Sequence, residues 1–486
     1  MDRKFEDFEI GDVYTFKKVF KKNDFDLFSR LSGDRNPLHY DENYSKQTTF
    51  EKPIVPIHLA AAPLSSVAGM VFPGLRSLYL SHEIKSHLPI FFDEEVTYSS
   101  KIVDMNYVEK ILILRTIIFK NTDIMLSSIQ RIQVRDDDID TEGLKSLQVK
   151  GSLLTNSKTF ILITGAGGEI GHATAMQLAK SGKNLILLFR KKDKKNAELA
   201  KRVMEYSPDV RVIEMDLSKK GLIFNFDKFL NINKVYIETV IFAASPKIDS
   251  PINTQMTVNY SSLKSIVECC LPFWLERQHG KIIFLSSSAV HYHPDGLENY
   301  ATAKAAGVNY LDGIRKRFSE WGINARCLAL GKVDTKFSTS LITRTSSQMM
   351  PEQVAENILN ILEDESSTDF YYWLENTGLN VGSYDFIRTE KSDPENLELE
   401  EKKFVKNIVT NRPDKLKDLI MRFFNLGANT NWDNVGLGLT AGWDSLRHIE
   451  FILLVEENYS IKFSSEEIDL TTTFYDLNNL LNKKLT

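Results

Sequence analysis

Three side chains with complementary acid–base chemistry occur close together near position 300. Tyr300 and Lys304 are four residues apart in NYATAKAAG (299–307), and Ser287 lies in the apolar run KIIFLSSS (281–288) that precedes them. Residues four apart share one face of a helix, so the ammonium group of Lys304 is expected beside the phenol and should lower its pKa. Such a phenol can exchange a proton near neutral pH, while a serine hydroxyl can hold a substrate oxygen.

A second acid–base pair lies near the N-terminus. Asp34 and His39 occur five positions apart in SGDRNPLHYD, with Asn36 and Pro37 between them. An aspartate and a histidine that share one water can remove an α-proton and release a hydroxyl group as water. For these two residues alone, a capping aspartate and a hydrogen-bonded surface histidine would be the simpler interpretation.

A third candidate is the serine of GWDSL (442–446). Asp444 can cap a helix, and the N-terminus of that helix would favour a phosphate group on Ser445. Three acidic residues follow on the predicted helix, namely Glu450, Glu456 and Glu457. They predict an acidic face that basic patches on partner proteins would recognise.

A glycine-rich turn follows the first apolar strand of the middle segment, in ILITGAGGEIG (161–171). Glycines at a strand-to-helix turn let the backbone approach a pyrophosphate, which the helix N-terminus then binds. The second strand ends at Arg190, where an acidic residue would favour a ribose hydroxyl and a cation favours a 2′-phosphate. NADPH is therefore the expected cofactor, although Arg190 and its lysine neighbours could also form a solvated cluster.

The chain of 486 residues is too long for one hydrophobic core and divides into three segments. Residues 1–150 combine one long apolar helix with strand-like runs, and 157–388 alternate strands with helices, which predicts a doubly wound parallel sheet. In residues 404–486 the apolar side chains recur at the spacing of helices. The stretches 151–158 and 391–403 are the expected linkers.

The composition is that of an ordinary globular protein, with 42% hydrophobic and 26% charged residues. A net charge of −5 gives no general attraction to nucleic acid. Three cysteines cannot form a disulfide framework, and no signal peptide is visible, so we expect a cytoplasmic location. The uncharged stretch 54–72 is expected to be a buried helix and not a membrane span.

With these motifs in place, residues 157–388 resemble the short-chain dehydrogenase/reductase family, whose fold is of the Rossmann type. The resemblance implies that Tyr300 is the general acid, Lys304 lowers its pKa and binds the ribose, and Ser287 orients the carbonyl. It adds two supporting groups, Asn259 in TVNYSS for a proton-relay water and Asp216 in EMDLS for the adenine. It also implies a set of cofactor-binding residues: Gly165, Gly168, Gly171, Arg190, Asp216, Lys304 and Thr335 of LGKVDT.

Two departures from that family leave a different assignment open. The family's Asn-Asn-Ala-Gly element appears as FAAS (242–245), and Glu169 stands where the shorter subclass has glycine. The turn also fits the TGxxGxxG pattern of the extended subclass that modifies sugar nucleotides. A sugar-nucleotide reductase or epimerase coupled to an acyl carrier is therefore an alternative.

Residues 6–135 resemble the MaoC-like (R)-specific enoyl hydratases, through SGDRNPLHYD, TTFEKPIV and the small-residue helix that follows. This family has an α+β hot-dog fold, in which a sheet wraps one central helix. The resemblance implies that Asp34 and His39 add water to, or remove it from, a 2-enoyl thioester. Pro56, Ile57 and His58 replace the family's His-Gly-Met, which affects the fit of the thioester.

The C-terminal segment resembles an acyl carrier protein, a small four-helix bundle. The resemblance implies that a phosphopantetheinyl transferase attaches 4′-phosphopantetheine to Ser445. Together the three segments predict reduction of a 3-oxoacyl thioester and dehydration to a trans-2-enoyl chain in fatty-acid or polyketide synthesis. A separate ketosynthase or acyltransferase would supply the chain, and a homodimer is expected by analogy. Two further hypotheses stay open: a hydratase that yields a (3R)-hydroxyacyl group for a glycan or lipid, and a carrier scaffold with decayed catalytic domains.

Overall fold

The computed structural model describes residues 3–136, 151–154, 158–191, 193–219, 226, 229–230, 235–337, 348–364 and 367–382, with parts of 412–485. The chain divides into two compact units, Met1–Phe386 and Ile387–Thr486. The first unit contains two β-sheets, and the second is a small helical cluster.

The first sheet is antiparallel, and its strands follow the order β2-β5-β4-β3-β1-β6. These strands are β1 (Val13–Val19), β2 (Ser77–Ser86), β3 (Glu95–Asn106), β4 (Ile111–Lys120), β5 (Asp123–Val134) and β6 (Ser152–Leu153). Three helices lie between β1 and β2 in the chain: α1 (Lys22–Ser32), α2 (Glu42–Ser45) and α3 (Ile57–Met70).

Helix α3 is the uncharged stretch of the sequence, and it packs against the inner face of this sheet. Leu59, Leu64 and Val67 share one apolar core with Tyr98 of β3. The Tyr98 hydroxyl donates a hydrogen bond to the carbonyl of Ala60 at 2.6 Å. The predicted hot-dog-like arrangement of a sheet around a central helix is therefore confirmed. Within the described ranges, no helix combines the length and apolarity that a membrane crossing requires.

The second sheet has eight strands in the order β14-β13-β12-β11-β10-β7-β8-β9. They are β7 (Thr159–Thr164), β8 (Leu185–Phe189), β9 (Val210–Glu214), β10 (Tyr236–Phe242), β11 (Gly280–Ser287), β12 (Ile323–Leu330), β13 (Tyr371–Glu375) and β14 (Gly378–Gly382). The helices are α4 (Glu169–Lys180), α5 (Lys194–Met204), α6 (Ile252–Met256), α7 (Ser262–Arg277), α8 (Ala289–Tyr292), α9 (Glu298–Phe318) and α10 (Pro351–Glu363).

All neighbouring strands of this sheet are parallel except the pair β13 and β14. The strand order runs outward in both directions from β7, so the crevice between β7 and β10 is the topological switch point. Ligands of such sheets bind at the carboxyl ends of the strands beside this point. The predicted Rossmann-like, doubly wound sheet is confirmed.

The two sheets pack on each other within the first unit. Ile117 and Phe119 of β4 point away from α3 and belong to the apolar core of the second sheet. Gln278, at the end of α7, is fully buried and has a left-handed backbone with φ of 47°. Its side-chain amide donates to the carbonyls of Ser99 at 2.9 Å and Arg115 at 3.0 Å. The sheets therefore share buried apolar and polar contacts.

The second unit is held by apolar contacts between short helices. Helices α11 (Arg412–Phe424) and α12 (Phe474–Leu485) share a core that includes Leu416, Phe451 and Leu477. Ser445 lies outside the described residues, as do Glu450 and Glu457. Glu456 is buried, and its carboxylate accepts the backbone N–H of Phe463 at 2.7 Å. The prediction that Glu456 contributes to an acidic recognition face is therefore wrong.

Candidate active sites

The Asp34–His39 pair is positioned by a tight sequence of turns after α1. Gly33 ends that helix in a left-handed conformation with φ of 77°, which glycine adopts without steric cost. The side chain of Asn36 then caps the short turn Pro37–His39 by accepting the N–H of Leu38 at 3.0 Å. Asp34 Oδ1 accepts the N–H of Asn36 at 3.0 Å, which fixes the direction of the Asp34 carboxylate.

The geometry of the pair fixes the role of each ring nitrogen. His39 Nδ1 lies 2.8 Å from the carbonyl oxygen of Ile54. Because a carbonyl only accepts, Nδ1 carries the proton and Nε2 carries the lone pair. That Nε2 faces Asp34 Oδ2 at 3.8 Å, which is too long for a hydrogen bond and suits one water between them. The structure thus brings together the two residues that the sequence predicted.

Both side chains open into a cavity of about 260 Å³ whose walls are mainly apolar. Ile54, Leu88, Ile90 and Leu126 contribute to those walls. Helix α3 begins at the cavity with Ile57, and the first N–H groups of a helix have no carbonyl partner within it. They can polarise a thioester carbonyl. His58, which is exposed on the first turn of α3, also lines the cavity, and no motif in the sequence gave it a role.

The glycine turn of the second sheet leaves a cradle that side chains would fill. Gly165 has φ of 66°, and a Cβ on it would lie 2.8 Å from Ala244 Cα. A Cβ on Gly171 would collide with the carbonyl oxygen of Gly165. Gly168 directly precedes α4 and donates its N–H to the same carbonyl at 2.9 Å. This close backbone packing at the switch point fits the diphosphate of a dinucleotide.

Tyr300, Ser287 and Lys304 converge at the carboxyl end of β11. Tyr300 and Lys304 lie on the buried face of α9, and Ser287 is the last residue of β11. The Ser287 side chain hydrogen-bonds to Tyr300 and thereby acts to lower the pKa of its phenol. Lys304 Nζ donates to the carbonyl of Leu285 at 2.6 Å and lies 5.8 Å from the centre of the Tyr300 ring.

The two ionisable groups of this cluster are shifted by burial. Burial raises the pKa of Tyr300 to about 12, more than the hydrogen bond from Ser287 lowers it. Burial also lowers the pKa of Lys304 to about 7. The expectation that Lys304 lowers the Tyr300 pKa is therefore not met here, because Lys304 is itself desolvated and hydrogen-bonded to Leu285.

Asn259 lies in a short π-helical segment, Thr257–Ser261, which precedes α7. Its Nδ2 donates to Gln255 Oε1 at 2.9 Å. Its Oδ1 is buried and takes no hydrogen bond from the described residues. An acceptor in this state fits a bound water, which is the role that the sequence resemblance implied.

Arg190 and Asp216 lie near the ends of neighbouring strands. Arg190 directly follows β8 and is exposed, while Asp216 follows β9 and accepts the Ser218 hydroxyl at 2.7 Å. The hydrogen bonds from Ser218 and the charges of Lys219 and Arg190 hold the pKa of Asp216 below its ordinary value. A cation stands at the end of the second strand of the βαβ unit, where a 2′-phosphate would be bound.

The loop after β12 is tied to the glycine turn. Glu169 Oε2 accepts the backbone N–H of Lys336 at 2.7 Å, one residue after the buried Thr335. The ring of Phe337 packs against that of Tyr300, with centres 5.9 Å apart. In the sequence, Glu169 stood out only as a departure from the family pattern. The role of Phe337 had no signal, because this contact joins residues that are distant in sequence.

The folds and the two clusters together define an enzyme that joins a hydratase to an oxidoreductase. Residues 7–116 match the family of the MaoC like domain, and residues 159–346 match that of the short chain dehydrogenases. The (R)-specific enoyl-CoA hydratase of Aeromonas caviae is 35% identical over 111 residues, which are 23% of this chain and 83% of that protein. The chain thus belongs, through its N-terminal domain, to the MaoC-like (R)-hydratase family, here fused to a short-chain dehydrogenase domain.

The second domain has relatives of its own. An uncharacterized oxidoreductase of Staphylococcus aureus (strain MRSA252) is 25% identical over 209 residues, covering 41% of this chain and 89% of the relative.

Among solved structures, the (R)-hydratase from A. caviae, which is similar to the first domain, has 30% identity and a TM-score of 0.26, over 26% of this chain and 98% of its own. A 3-oxoacyl (acyl-carrier-protein) reductase from Agrobacterium tumefaciens C58 with NADP bound has 21% identity and a TM-score of 0.38, over 41% of this chain and 86% of its own.

Proposed function

We propose that this enzyme reduces a 3-oxoacyl thioester with NADPH to the (3R)-hydroxyacyl thioester and dehydrates that product to the trans-2-enoyl thioester. The observation that carries the proposal is the presence of both acid–base clusters in one compact unit. The Ser287–Tyr300–Lys304 cluster suits chemistry at a C3 carbonyl, and the Asp34–His39 pair suits removal of the C3 hydroxyl. The two steps therefore act on the same carbon of one substrate.

The reductase residues would act in the direction of reduction. Bound at the glycine turn and Arg190, NADPH would supply the hydride. Ser287 would hold the carbonyl oxygen, and Tyr300 would donate the proton to it. A phenol with a pKa of about 12 retains its proton at neutral pH and is an acid in the correct state for this step. A water on Asn259 Oδ1, with Lys304, would return a proton to the phenol.

The hydratase residues would act through one water. In dehydration, His39 Nε2 would take the α-proton and pass it to the departing hydroxyl group, which leaves as the water held by Asp34. The N–H groups at the start of α3 would bear the charge that develops on the thioester oxygen. The large side chain of Ile57, in place of the family's glycine, would narrow the entry to these groups.

The carrier assignment rests on the sequence alone. We propose that Ser445 carries 4′-phosphopantetheine, whose thiol would hold the acyl chain during both steps. A phosphopantetheinyl transferase and a separate ketosynthase or acyltransferase would then be partners. A mass increase on Ser445 after incubation with such a transferase and coenzyme A is the expected result. An unchanged mass would contradict the carrier.

A second candidate keeps the same residues and reverses the second step. The named relative is an enoyl-CoA hydratase, which favours hydration of a coenzyme A thioester to the (3R)-hydroxyacyl product.

We also propose a homodimer, because β2 is an edge strand of its sheet and exposes Leu78 and Leu80. A second copy would cover these side chains.

Variants of each site separate the two activities. Tyr300→Phe should abolish NADPH oxidation with acetoacetyl thioester and leave crotonyl thioester hydration unchanged. His39→Gln should give the opposite result. Retention of NADPH oxidation by Tyr300→Phe would contradict the reductase site, and full hydration by His39→Gln would contradict the hydratase site.

A further inference from the structure

One polar side chain of the hydratase cavity, His58, takes no part in the water and proton chemistry of Asp34 and His39, although it lines the same cavity. The other polar side chain of the lining is that of Ser86 on β2, so His58 is the polar group that α3 itself contributes. The His58 ring is exposed and has no hydrogen bond to the described residues. Its imidazole is therefore available to a ligand in this cavity.

The position of His58 in α3 directs its ring toward the start of the helix. The helix begins at Ile57, with Pro56 before it, so His58 is the second helical residue. In a helix every Cα–Cβ bond tilts toward the N-terminus. A side chain at the second position has no preceding turn to lie against, so it extends past the end of the helix. This agrees with the place of His58 in the cavity lining.

The start of α3 also presents unpaired backbone donors. The first hydrogen bond of the helix runs from the N–H of Ala60 to the carbonyl of Pro56 at 2.9 Å, and no side chain caps the N-terminus. The N–H groups of the first turn therefore have no acceptor within the helix, and they give this end about +0.5 of an elementary charge. A carbonyl oxygen at this end of the cavity would meet these groups and the His58 ring together.

Ile57 makes an additional donor from a side chain useful. It lines the cavity at the first helical position and packs in part against the apolar core of the first sheet. Its branched side chain tilts the same way as that of His58 and reduces access to the backbone N–H groups. An imidazole reaches further from the backbone than an N–H group does, and it has at least one N–H in either protonation state. His58 can therefore donate to an oxygen that Ile57 keeps away from the backbone.

We propose that His58 donates a ring N–H to the carbonyl oxygen of the thioester and stabilises the negative charge that develops there when the α-proton is removed. A donor aimed at an oxygen whose charge grows in the transition state accelerates the reaction. His58 is then a catalytic residue that contacts the substrate and exchanges no proton with it. The inference rests on the proposed hydratase function and gives a role to one of the residues that replace the family's His-Gly-Met.

The rate of crotonyl coenzyme A hydration by the full chain tests the proposal. His58→Met removes the donor and should lower kcat by about 10²-fold with little change in KM, since loss of one oxyanion donor has an effect of this size in the transition state. His58→Gln keeps an N–H donor and should retain most of the parent's kcat. His82→Met, at an exposed position on β2 outside the cavity lining, is the matched control and should hydrate as the parent does.

Two kinetic results would overturn the proposal. An equal loss of kcat in His58→Gln and His58→Met would indicate that His58 transfers a proton, because glutamine can donate a hydrogen bond but does not titrate. A parental kcat in His58→Met would make His58 a surface side chain without a role in catalysis.

An infrared measurement detects the hydrogen bond without turnover. Crotonyl coenzyme A labelled with ¹³C at the thioester carbonyl is bound to His39→Gln, which lacks the base. The carbonyl stretching band should move to lower frequency on binding, and it should move less when His58→Met is added to His39→Gln. A band that does not depend on His58 would overturn the proposal. If the parent hydrates no crotonyl coenzyme A but the band depends on His58, the hydratase function fails and the hydrogen bond from His58 stands.

Discussion

Lys304 provides a quantitative test of how the reductase site is built. Burial lowers its pKa from 10.5 to about 7. Between these two values the unfolded chain binds one more proton than the folded chain at this position. The free energy of unfolding therefore rises with pH in this window, since stability increases wherever the unfolded state binds more protons. The free energy of unfolding rises by about 1.4 kcal/mol per pH unit, and by less close to the folded-state pKa, where some folded molecules still carry the proton. The rise from pH 7 to pH 9 is therefore about 2 kcal/mol.

The perturbation is Lys304→Met, which keeps an apolar side chain of similar length and removes the titrating group. Denaturant unfolding is followed at pH 7 and pH 9 by tryptophan fluorescence, to which Trp274 and Trp321 in the same core contribute. Between these pH values, the free energy of unfolding of the parent should rise by about 2 kcal/mol more than that of Lys304→Met. Lys201→Met, at an exposed site, should keep the parent's pH dependence. If the free energy of unfolding had the same pH dependence in the parent and in Lys304→Met, the burial of an uncompensated lysine would be refuted.

Three further predictions concern the two sites. Gly171→Ala should abolish NADPH binding, measured by fluorescence titration, because its Cβ would collide with the Gly165 carbonyl; unchanged binding would contradict the cradle. Asp34→Asn should lower kcat for crotonyl thioester hydration by about 10²-fold or more, since general acid–base catalysis supplies this much; a full rate would remove Asp34 from the mechanism. Glu169→Ala should raise KM for NADPH without changing hydration, because it releases the loop at Lys336; an unchanged KM would show that this hydrogen bond does not position the loop.

Much of the fold follows from local pattern in the sequence. The alternation of apolar strands with helices predicted the parallel sheet, because a buried strand and an amphipathic helix each leave a distinct spacing. The glycine turn and the residues Ser287, Tyr300 and Lys304 were recognisable because their roles impose types and spacing. Asp34 and His39 were recognisable only through the resemblance of the surrounding stretches SGDRNPLHYD and TTFEKPIV, because an aspartate and a histidine at this spacing have a simpler interpretation by themselves.

The rest depends on contacts that no local pattern encodes. Gln278 has the sequence context of an ordinary helix end, yet it is buried against Ser99 and Arg115 of the other sheet. The upward shift of the Tyr300 pKa comes from burial, whereas the sequence suggested only the helical neighbour Lys304. Glu456 was expected on a surface because it is acidic, but its carboxylate accepts the backbone N–H of Phe463.

In the proposed function, both sites act on one thioester and on the same enantiomer. The most direct measurement supplies crotonyl thioester and NADP⁺ to the full chain and follows NADPH absorbance. Hydration must first yield the 3-hydroxyacyl thioester, which the reductase site then oxidises to the 3-oxo product. NADPH should form in the parent protein and not in His39→Gln or Tyr300→Phe, and mixing those two variants should restore it. If the parent formed no NADPH, and did not oxidise added (3R)-hydroxybutyryl thioester either, a substrate shared by the two sites would be contradicted.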